Sequence, residues 1–206
     1  MNQQNETQPM LRGKPQDKRL MLIIAEGLRE KQYFRVYRNE HRANRLNIEP
    51  ETPSENKSAP NHLIEAATIQ MNNRGFDGSQ HVGDTVWFIS DADEWTSQQM
   101  DEVQKFCAET NERFRNECAF YLISNPCFEV WLHHHHQSID NNNQTCVELK
   151  GSLNNYHPVE WIRSINQAIQ RSKQTDTDPH PFKPGIMQTR IWRIAEELQK
   201  RVRKPG

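Results

Sequence analysis

The chain has 206 residues, of which 34% are hydrophobic and 26% are charged, and its formal net charge is -1. This length is sufficient for one good-sized domain, and the near-neutral charge excludes a whole-protein basic field, so a polyanion would have to bind at local patches. The first ten residues are polar, and no apolar run approaches the about 20 residues that cross a bilayer, so we expect a cytoplasmic protein without a membrane partner.

The first half of the chain is predicted to alternate between strands and helices. Residues 1–17 are polar and are expected to form a flexible N-terminal segment. The unbroken apolar run at 20–25 predicts a strand that is buried on both faces, as in parallel sheets. After it we expect a helix at 28–45, a weak strand at 45–51, a loop at 52–60 and a helix at 61–71.

The second half continues this alternation and ends in helices. We expect, in order, a strand at 84–90, a helix at 96–114, a strand at 117–123, a helix opened by Asn125-Pro126, an irregular segment at 137–156, and helices at 158–172 and 186–202. Thr96 or Ser97 is the expected cap of the helix at 96–114. The alternation predicts an α/β fold with a mainly parallel, four-stranded sheet flanked by helices. We assign residues 18–136 to this domain, and 137–206 to a loop and a C-terminal helical extension packed on it.

Three acidic residues follow two of the predicted buried strands. Glu26 ends the first strand, and Asp91 and Asp93 follow the strand at 84–90. Groups just past the carboxyl ends of parallel strands converge in one crevice, so we expect these side chains to meet. Carboxylates that lie close together raise one another's pKa unless a cation offsets the repulsion, and oxygen-only ligands suit Mg²⁺ or Mn²⁺. Such an ion binds phosphate oxygens and activates water, which points to phosphodiester or phosphoryl substrates.

Each acidic motif also has a purely structural interpretation, which the sequence leaves open. An Asp-x-Asp sequence after a strand is often a turn or a helix cap, and Gly27 after Glu26 would then only permit a turn. Asn125 and Glu129 are further candidates, because the amino end of their predicted helix would face the same crevice and favour a phosphate there. Their structural alternatives are capping for Asn125 and an interaction with the helix dipole for Glu129.

Basic residues and histidines form two other notable groups. The side chains of Arg35, Arg38, Arg42 and Arg45 share one face of the first predicted helix and would contact a nucleic-acid backbone. A solvated charged face is the alternative interpretation, and the sequence favours it slightly. The four histidines at 133–136 cannot all bind one metal ion, because adjacent histidines on a helix point in different directions, although two of them, His133 and His136, have a helical spacing that could.

The order of these motifs resembles known families. A strand ending in Glu26-Gly27, followed by a strand ending in Asp91-x-Asp93, resembles the Toprim domain of primases, topoisomerases and OLD-type nucleases. A closer resemblance, over about residues 18–200, is to the RloB-like family. It is carried by the stretches at 23–27 with Tyr33-Phe34, at 87–94 and around 189–198, and above all by Ser-Asn-Pro-Cys-Phe-Glu-Val-Trp-Leu at 124–132.

The resemblance implies a Toprim-like prokaryotic protein linked with phage defence and related to the abortive-infection AbiL proteins, which are paired with an ATPase. In Toprim nucleases the glutamate acts as general acid/base or metal ligand and the two aspartates hold metal, and these roles correspond to Glu26, Asp91 and Asp93. The expected function is therefore a Mg²⁺- or Mn²⁺-dependent nuclease that acts on RNA or DNA, with RNA favoured.

A second hypothesis describes the chain as a non-catalytic subunit. In that case the acids are residual, and the protein is a sensor or docking partner for a defence ATPase, with the arginine face of the first helix and the C-terminal helices as contact surfaces. Whether the chain forms a homo-oligomer is left open by the sequence.

Overall fold

A five-stranded sheet forms the centre of the structure, a computed structural model that describes residues 18–41, 48–52, 60–92, 95–139, 144–153, 157–178 and 183–203. The predicted flexible segment 1–17 lies outside the described residues, and so do Arg42, Arg45 and Asp93. The strands, in chain order, are β1 Met21–Ala25, β2 Ile48–Glu51, β3 Thr85–Asp91, β4 Ala119–Asn125 and β5 Gln188–Thr189. Their spatial order is β2-β1-β3-β4-β5.

Eight helices lie within the described ranges. They are α1 Leu28–Glu40, α2 Pro60–Asn73, α3 Ser97–Phe114, α4 Glu129–His134, α5 Cys146–Ser152, α6 Pro158–Arg163, α7 Ile165–Thr175 and α8 Trp192–Arg203. None of these helices combines the length and the apolar character that crossing a membrane requires.

The sheet is parallel except at one edge. Strand β1 pairs in parallel with β2 and β3, β3 pairs in parallel with β4, and β5 pairs antiparallel with β4. Parallel neighbours need crossover connections, which α1, α2 and α3 supply. The predicted α/β fold with a mainly parallel sheet is therefore confirmed.

Two hydrophobic cores cover the two faces of the sheet, which explains the unbroken apolar run of β1. Successive side chains of a strand point to opposite faces, so Met21 and Ile23 enter one core and Leu22 enters the other. The first core also contains residues of α1, α4, α6, α7 and α8, whereas α2 and α3 cover the second face. Because both faces are covered, all five residues of β1 are buried.

The prediction of four strands was wrong by one short strand. Strand β5 lies inside the segment predicted as a helix from 186, and α8 begins only at Trp192. The hydroxyl oxygen of Thr189 lies 2.7 Å from that of Ser124, and the hydroxyl of Ser172 donates to the Thr189 carbonyl at 3.0 Å. These long-range contacts hold Thr189 in the sheet, and a two-residue strand has no periodicity that a sequence could reveal.

Two further helix predictions need correction. The segment predicted as one helix at 158–172 is divided at Ser164 into α6 and α7, and the hydroxyl of Ser164 donates to the Glu160 carbonyl at 2.9 Å. The segment predicted as irregular at 137–156 contains α5, whose start has a capping box formed by Thr145 and Glu148.

The helix predicted to open at Asn125-Pro126 begins later, at Glu129. Strand β4 continues through Asn125, because the backbone N–H of Ala92 donates to the carbonyls of Ser124, at 2.9 Å, and Pro126, at 3.1 Å. Asn125 therefore does not cap the helix. Its side-chain amide donates instead to the carbonyl of Pro184 at 2.9 Å.

Candidate functional site

Glu26 and Asp91 meet at the carboxyl edge of the sheet. Glu26 directly follows β1, and its backbone N–H donates to the carbonyl of Ile89 in β3 at 3.0 Å. The Glu26 carboxylate accepts a hydrogen bond from the backbone N–H of Asp91 at 3.1 Å and another from the indole N–H of Trp95 at 3.1 Å. The parallel pairing of β1 with β3 thus brings together two acids that are distant in sequence.

Asp91 also connects this edge to the segment that precedes α4. Its carboxylate oxygen Oδ1 accepts a hydrogen bond from the backbone N–H of Phe128 at 2.8 Å. The side chain is therefore oriented by the chain that follows β4, the third strand at this edge. Asp93, the third acid of the predicted site, lies outside the described residues.

Glu129 is the first residue of α4, and its side chain is only 2% exposed. Its carboxylate accepts a hydrogen bond from the guanidinium of Arg29, at the start of α1, at 2.8 Å. The Arg29 side chain is 42% exposed, so the ion pair has one buried and one solvated member. Glu129 thus lies at a helix start, where it can interact with the helix dipole as its structural interpretation predicts. It also lines the cleft beside Glu26 and Asp91.

A cleft of about 360 Å³ lies between these elements. Its lining contains four carboxyl groups and two cationic groups, so its charge is negative when all of them are ionised. The lining residues are Glu26, Gly27, Leu28, Arg29, Glu30, Asp91, Glu129 and Lys150. An excess of carboxylate charge in a confined space favours the binding of a divalent cation.

Glu30 is a member of this cleft that the sequence pattern did not indicate. It is 4% exposed, and burial raises its pKa to about 7, with the charge of Glu129 adding to the effect and a hydrogen bond to its own backbone opposing it. A β-carbon at Gly27 would lie 2.6 Å from its Oε2 atom, so the missing side chain of Gly27 leaves room for this carboxyl group. A glutamate in the first turn of a helix is usually assigned to the dipole, and no sequence signal indicated its burial.

Lys150 in α5 was missed because its segment was predicted to be irregular. Its side chain is exposed, yet it lines the cleft. Desolvation, the largest effect, acts to lower its pKa, but the negative groups around it, led by Glu129 and including Asp91, outweigh desolvation and raise the pKa. Lys150 therefore carries its charge next to these acids.

Of the predicted arginine face of α1, the structure describes Arg35 and Arg38, and these two side chains have different environments. Arg38 donates hydrogen bonds to the carbonyl of Ile48 at 3.3 Å and to the carboxylate of Glu49 at 3.2 Å, which ties α1 to β2. Arg35 is exposed. The other two members of the predicted face, at 42 and 45, lie outside the described residues.

The four histidines at 133–136 have separate environments. Nε2 of His133 lies 2.9 Å from the hydroxyl oxygen of Ser152, and Nε2 of His135 lies 3.2 Å from that of Tyr33. Desolvation lowers the pKa of His134 to about 4 and that of His135 to about 3. His133, His134 and His135 are buried, and the low pKa values of His134 and His135 keep these two residues neutral at pH 7.

The residues of the cleft fit a divalent ion with oxygen ligands. Within the described ranges, no three His, Cys, Asp or Glu side chains converge closely enough to hold an ion by themselves. Glu26 and Asp91 supply two carboxylates, and Mg²⁺ is commonly bound by one or two carboxylates together with water and substrate phosphate. The donor chemistry therefore suits Mg²⁺ or Mn²⁺.

Comparisons with known proteins identify the family. Neither a curated protein nor a solved structure was found to match the chain. The family described as RloB-like protein matches residues 21–198, which include every residue that lines the cleft. Because the match covers most of the chain, this protein belongs to the RloB-like family.

Proposed function

We propose that this protein is a Mg²⁺- or Mn²⁺-dependent nuclease of the Toprim type that acts on nucleic acid, with RNA favoured, in prokaryotic antiviral defence. The observation that carries the proposal is the hydrogen-bonded contact between Glu26 and Asp91 at the carboxyl ends of two adjacent parallel strands, in a cleft rich in carboxylates. This edge of a parallel sheet is the usual location of a ligand site.

The cleft residues have distinct roles in this proposal. Glu26 and Asp91 would hold the ion, and a bound divalent ion would stabilise the negative charge that develops on a phosphodiester. Glu26 would alternatively take the proton of the attacking water at one of its carboxylate oxygens. Trp95 and the backbone N–H of Phe128 orient the two carboxylates through hydrogen bonds, which reduces the reorganisation that the reaction requires.

The proposed substrate and biological role come from the family resemblance. The defence role and the preference for RNA are extended from the resemblance to Toprim proteins of phage defence, including nucleases that act on transfer RNA. Fold-level analogy does not determine the substrate of an enzyme. The test must therefore include both RNA and DNA.

The decisive experiment incubates the purified protein with total RNA and with plasmid DNA, with and without Mn²⁺. We expect Mn²⁺-dependent cleavage that is lost in Glu26→Gln and in Asp91→Asn. The matched control is Glu102→Gln, which removes an exposed carboxylate from α3 on the other face of the sheet and should cleave like the wild type. Cleavage that persists in both site variants would rule out the assigned residues.

A binding measurement tests the ion separately from the chemistry. The indole of Trp95 lies 3.1 Å from Oε1 of Glu26, so a paramagnetic Mn²⁺ ion held by this carboxylate should quench its fluorescence. We expect saturable quenching in the wild type and a loss of most of it in Trp95→Phe, because the Trp95 indole donates to the carboxylate that would hold the ion, whereas none of the other four tryptophans lines the cleft. Quenching that Trp95→Phe leaves unchanged would place the ion elsewhere.

One observation favours the second candidate function, a non-catalytic sensor or docking subunit for a defence ATPase. Both carboxylate oxygens of Glu26 accept hydrogen bonds from protein groups, and Glu129 is paired with Arg29. These acids therefore have partners within the protein itself. If phage defence or toxicity in cells persists in folded Glu26→Gln and Asp91→Asn proteins, the subunit hypothesis replaces the nuclease.

A further inference from the structure

We infer that Arg29 and Lys150 form a phosphate-binding pair that holds the backbone of a nucleic acid in the cleft beside Glu26 and Asp91. This inference rests on the proposed function for the identity of the ligand, and it assigns the residues that would position it. Arg29 lies in α1 and Lys150 lies in α5. Neither helix contains an acid that was predicted from the sequence to belong to the site.

Arg29 combines a fixed orientation with access to solvent. Its Nη1 atom donates to the carboxylate of Glu129 at 2.8 Å, and Glu129 is 2% exposed. A guanidinium has five N–H donors, so this one bond orients the group without exhausting its donors. With 42% of the side chain exposed, Arg29 can meet a ligand at the cleft, and planar guanidinium groups bind phosphate oxygens well.

Lys150 brings a second cation to the same cleft from a different element. It belongs to α5, its side chain is exposed, and it lines the cleft together with Arg29. The acids Glu129 and Asp91 contribute to raising its pKa, which indicates that its ammonium group lies within their field. Lys150 therefore brings a cationic side chain to the cleft that Asp91, one of the proposed ion ligands, also lines.

The distribution of charge explains why a phosphate suits this pair. Arg190 and Asp176 form an ion pair that is buried within the fold, with side chains 4% and 7% exposed. Arg29 and Lys150 instead remain accessible while their acidic neighbours are buried or partly buried. A phosphodiester offers anionic oxygens to both cations, and contacts of this kind position a nucleic acid without reading its sequence.

The test measures binding in a protein that cannot cleave. In the Glu26→Gln background, the affinity for a short fluorescein-labelled single-stranded RNA is measured by anisotropy at several salt concentrations, for Arg29→Gln and for Lys150→Gln. We expect each change to weaken binding by about tenfold and to reduce the slope of log affinity against log salt by about 0.7, the value for one lost phosphate contact on a single strand. Lys105→Gln, which removes a 77% exposed cation from α3, is the matched control and should change neither quantity.

Substitutions that conserve the positive charge serve as controls for effects on folding. Arg29→Lys and Lys150→Arg should retain most of the salt slope, and thermal melting verifies that every variant is folded. An unchanged affinity and slope in Arg29→Gln and Lys150→Gln would overturn the inference even if the wild type cleaves RNA, and so would a Glu26→Gln parent that does not bind RNA. If the two variants lose affinity while the wild type never cleaves, the phosphate site stands and the nuclease proposal fails.

Discussion

The carboxylate of Glu26 lies 3.1 Å from the backbone nitrogen of Asp91, although the two residues are 65 positions apart in the chain. Glu26, a proposed ion ligand that follows β1, thus also forms a hydrogen bond with the end of the neighbouring strand β3. At Asp91, removing the charge and removing the hydrogen-bond acceptor are separable changes, because asparagine keeps a side-chain oxygen and alanine does not, so these variants can distinguish the chemistry from the fold.

The first prediction compares three substitutions at this contact. Asp91→Asn keeps a side-chain oxygen that can accept from the N–H of Phe128, so its free energy of unfolding should change by no more than about 1 kcal/mol. Glu26→Gln has one oxygen for the two N–H donors of Asp91 and Trp95, so it leaves one donor without its acceptor and should cost about 1–3 kcal/mol. Asp91→Ala leaves the N–H of Phe128 without this acceptor and should cost about 1–3 kcal/mol. Urea unfolding measures both effects.

All three variants should lose Mn²⁺ affinity in calorimetric titration, because each removes a carboxylate charge from the cleft. A loss of affinity that occurs only in the destabilised Asp91→Ala would mean that the carboxylates support structure and not an ion. If all three variants bind Mn²⁺ with the affinity of the wild type, the ion does not bind at this edge of the sheet.

The second prediction concerns Gly27. A β-carbon at this position would lie 2.6 Å from Oε2 of Glu30, so Gly27→Ala must displace the buried carboxyl group. The clash is with the end of a flexible side chain, so we expect a loss of stability of up to about 1 kcal/mol and a weaker Mn²⁺ affinity. Gly151→Ala is the matched control, because a β-carbon on this residue of α5 meets nothing within 4 Å, and alanine should stabilise the helix by up to about 1 kcal/mol. The two free energies of unfolding should therefore change in opposite directions.

The third prediction concerns the ionisation of Glu30. Burial raises its pKa in the folded protein to about 7 from an ordinary value of 4.5. Its contribution to stability is therefore fully present below pH 4.5 and is lost as the pH rises through about 7, since the folded state disfavours the charged form. Glu30→Gln cannot ionise, so its stability relative to the wild type should increase on the order of 1–3 kcal/mol from about pH 5 to about pH 8.

Urea unfolding at the two pH values measures this difference for Glu30. Glu102→Gln, an exposed substitution on α3, serves as the control and should show the same difference from the wild type at both values. A Glu30→Gln protein whose relative stability does not vary with pH would show that this carboxyl group is solvated.

The fourth prediction concerns His135, which is 3% exposed and packs against the ring of Trp131 at a centroid distance of 5.0 Å. Desolvation lowers its pKa to about 3 from 6.5. The stability that it contributes is present above pH 6.5 and is lost as the pH falls toward 3, because the unfolded chain takes up the proton first. His135→Gln should be less stable at neutral pH but should lose stability less steeply on acidification.

The control for this pH profile is His81→Gln, since His81 is exposed. Free energies of unfolding measured between neutral pH and about pH 4 should give parallel profiles for His81→Gln and the wild type. A parallel profile for His135→Gln as well would contradict the assignment of a buried neutral imidazole.

Features that depend on neighbouring residues in the chain were predictable. The unbroken apolar run of β1 indicated a strand covered on both faces, and all of its residues are buried. The cap of α3 is Thr96, which forms a capping box with Gln99, and the helix ends at Phe114 as expected. Burial patterns and caps are encoded within a few residues, so the sequence by itself determined the strand–helix alternation and the mainly parallel α/β fold.

Features that depend on distant residues were decided only by the tertiary structure. Glu30 looked like an ordinary first-turn acid, and its raised pKa results from burial in the fold and from the charge of Glu129. Lys150 reached the cleft because α5 packs against α4, a contact that no local pattern indicated. Electrostatic environment and burial are sums over the surrounding space, and the chain order alone does not specify which residues share that space.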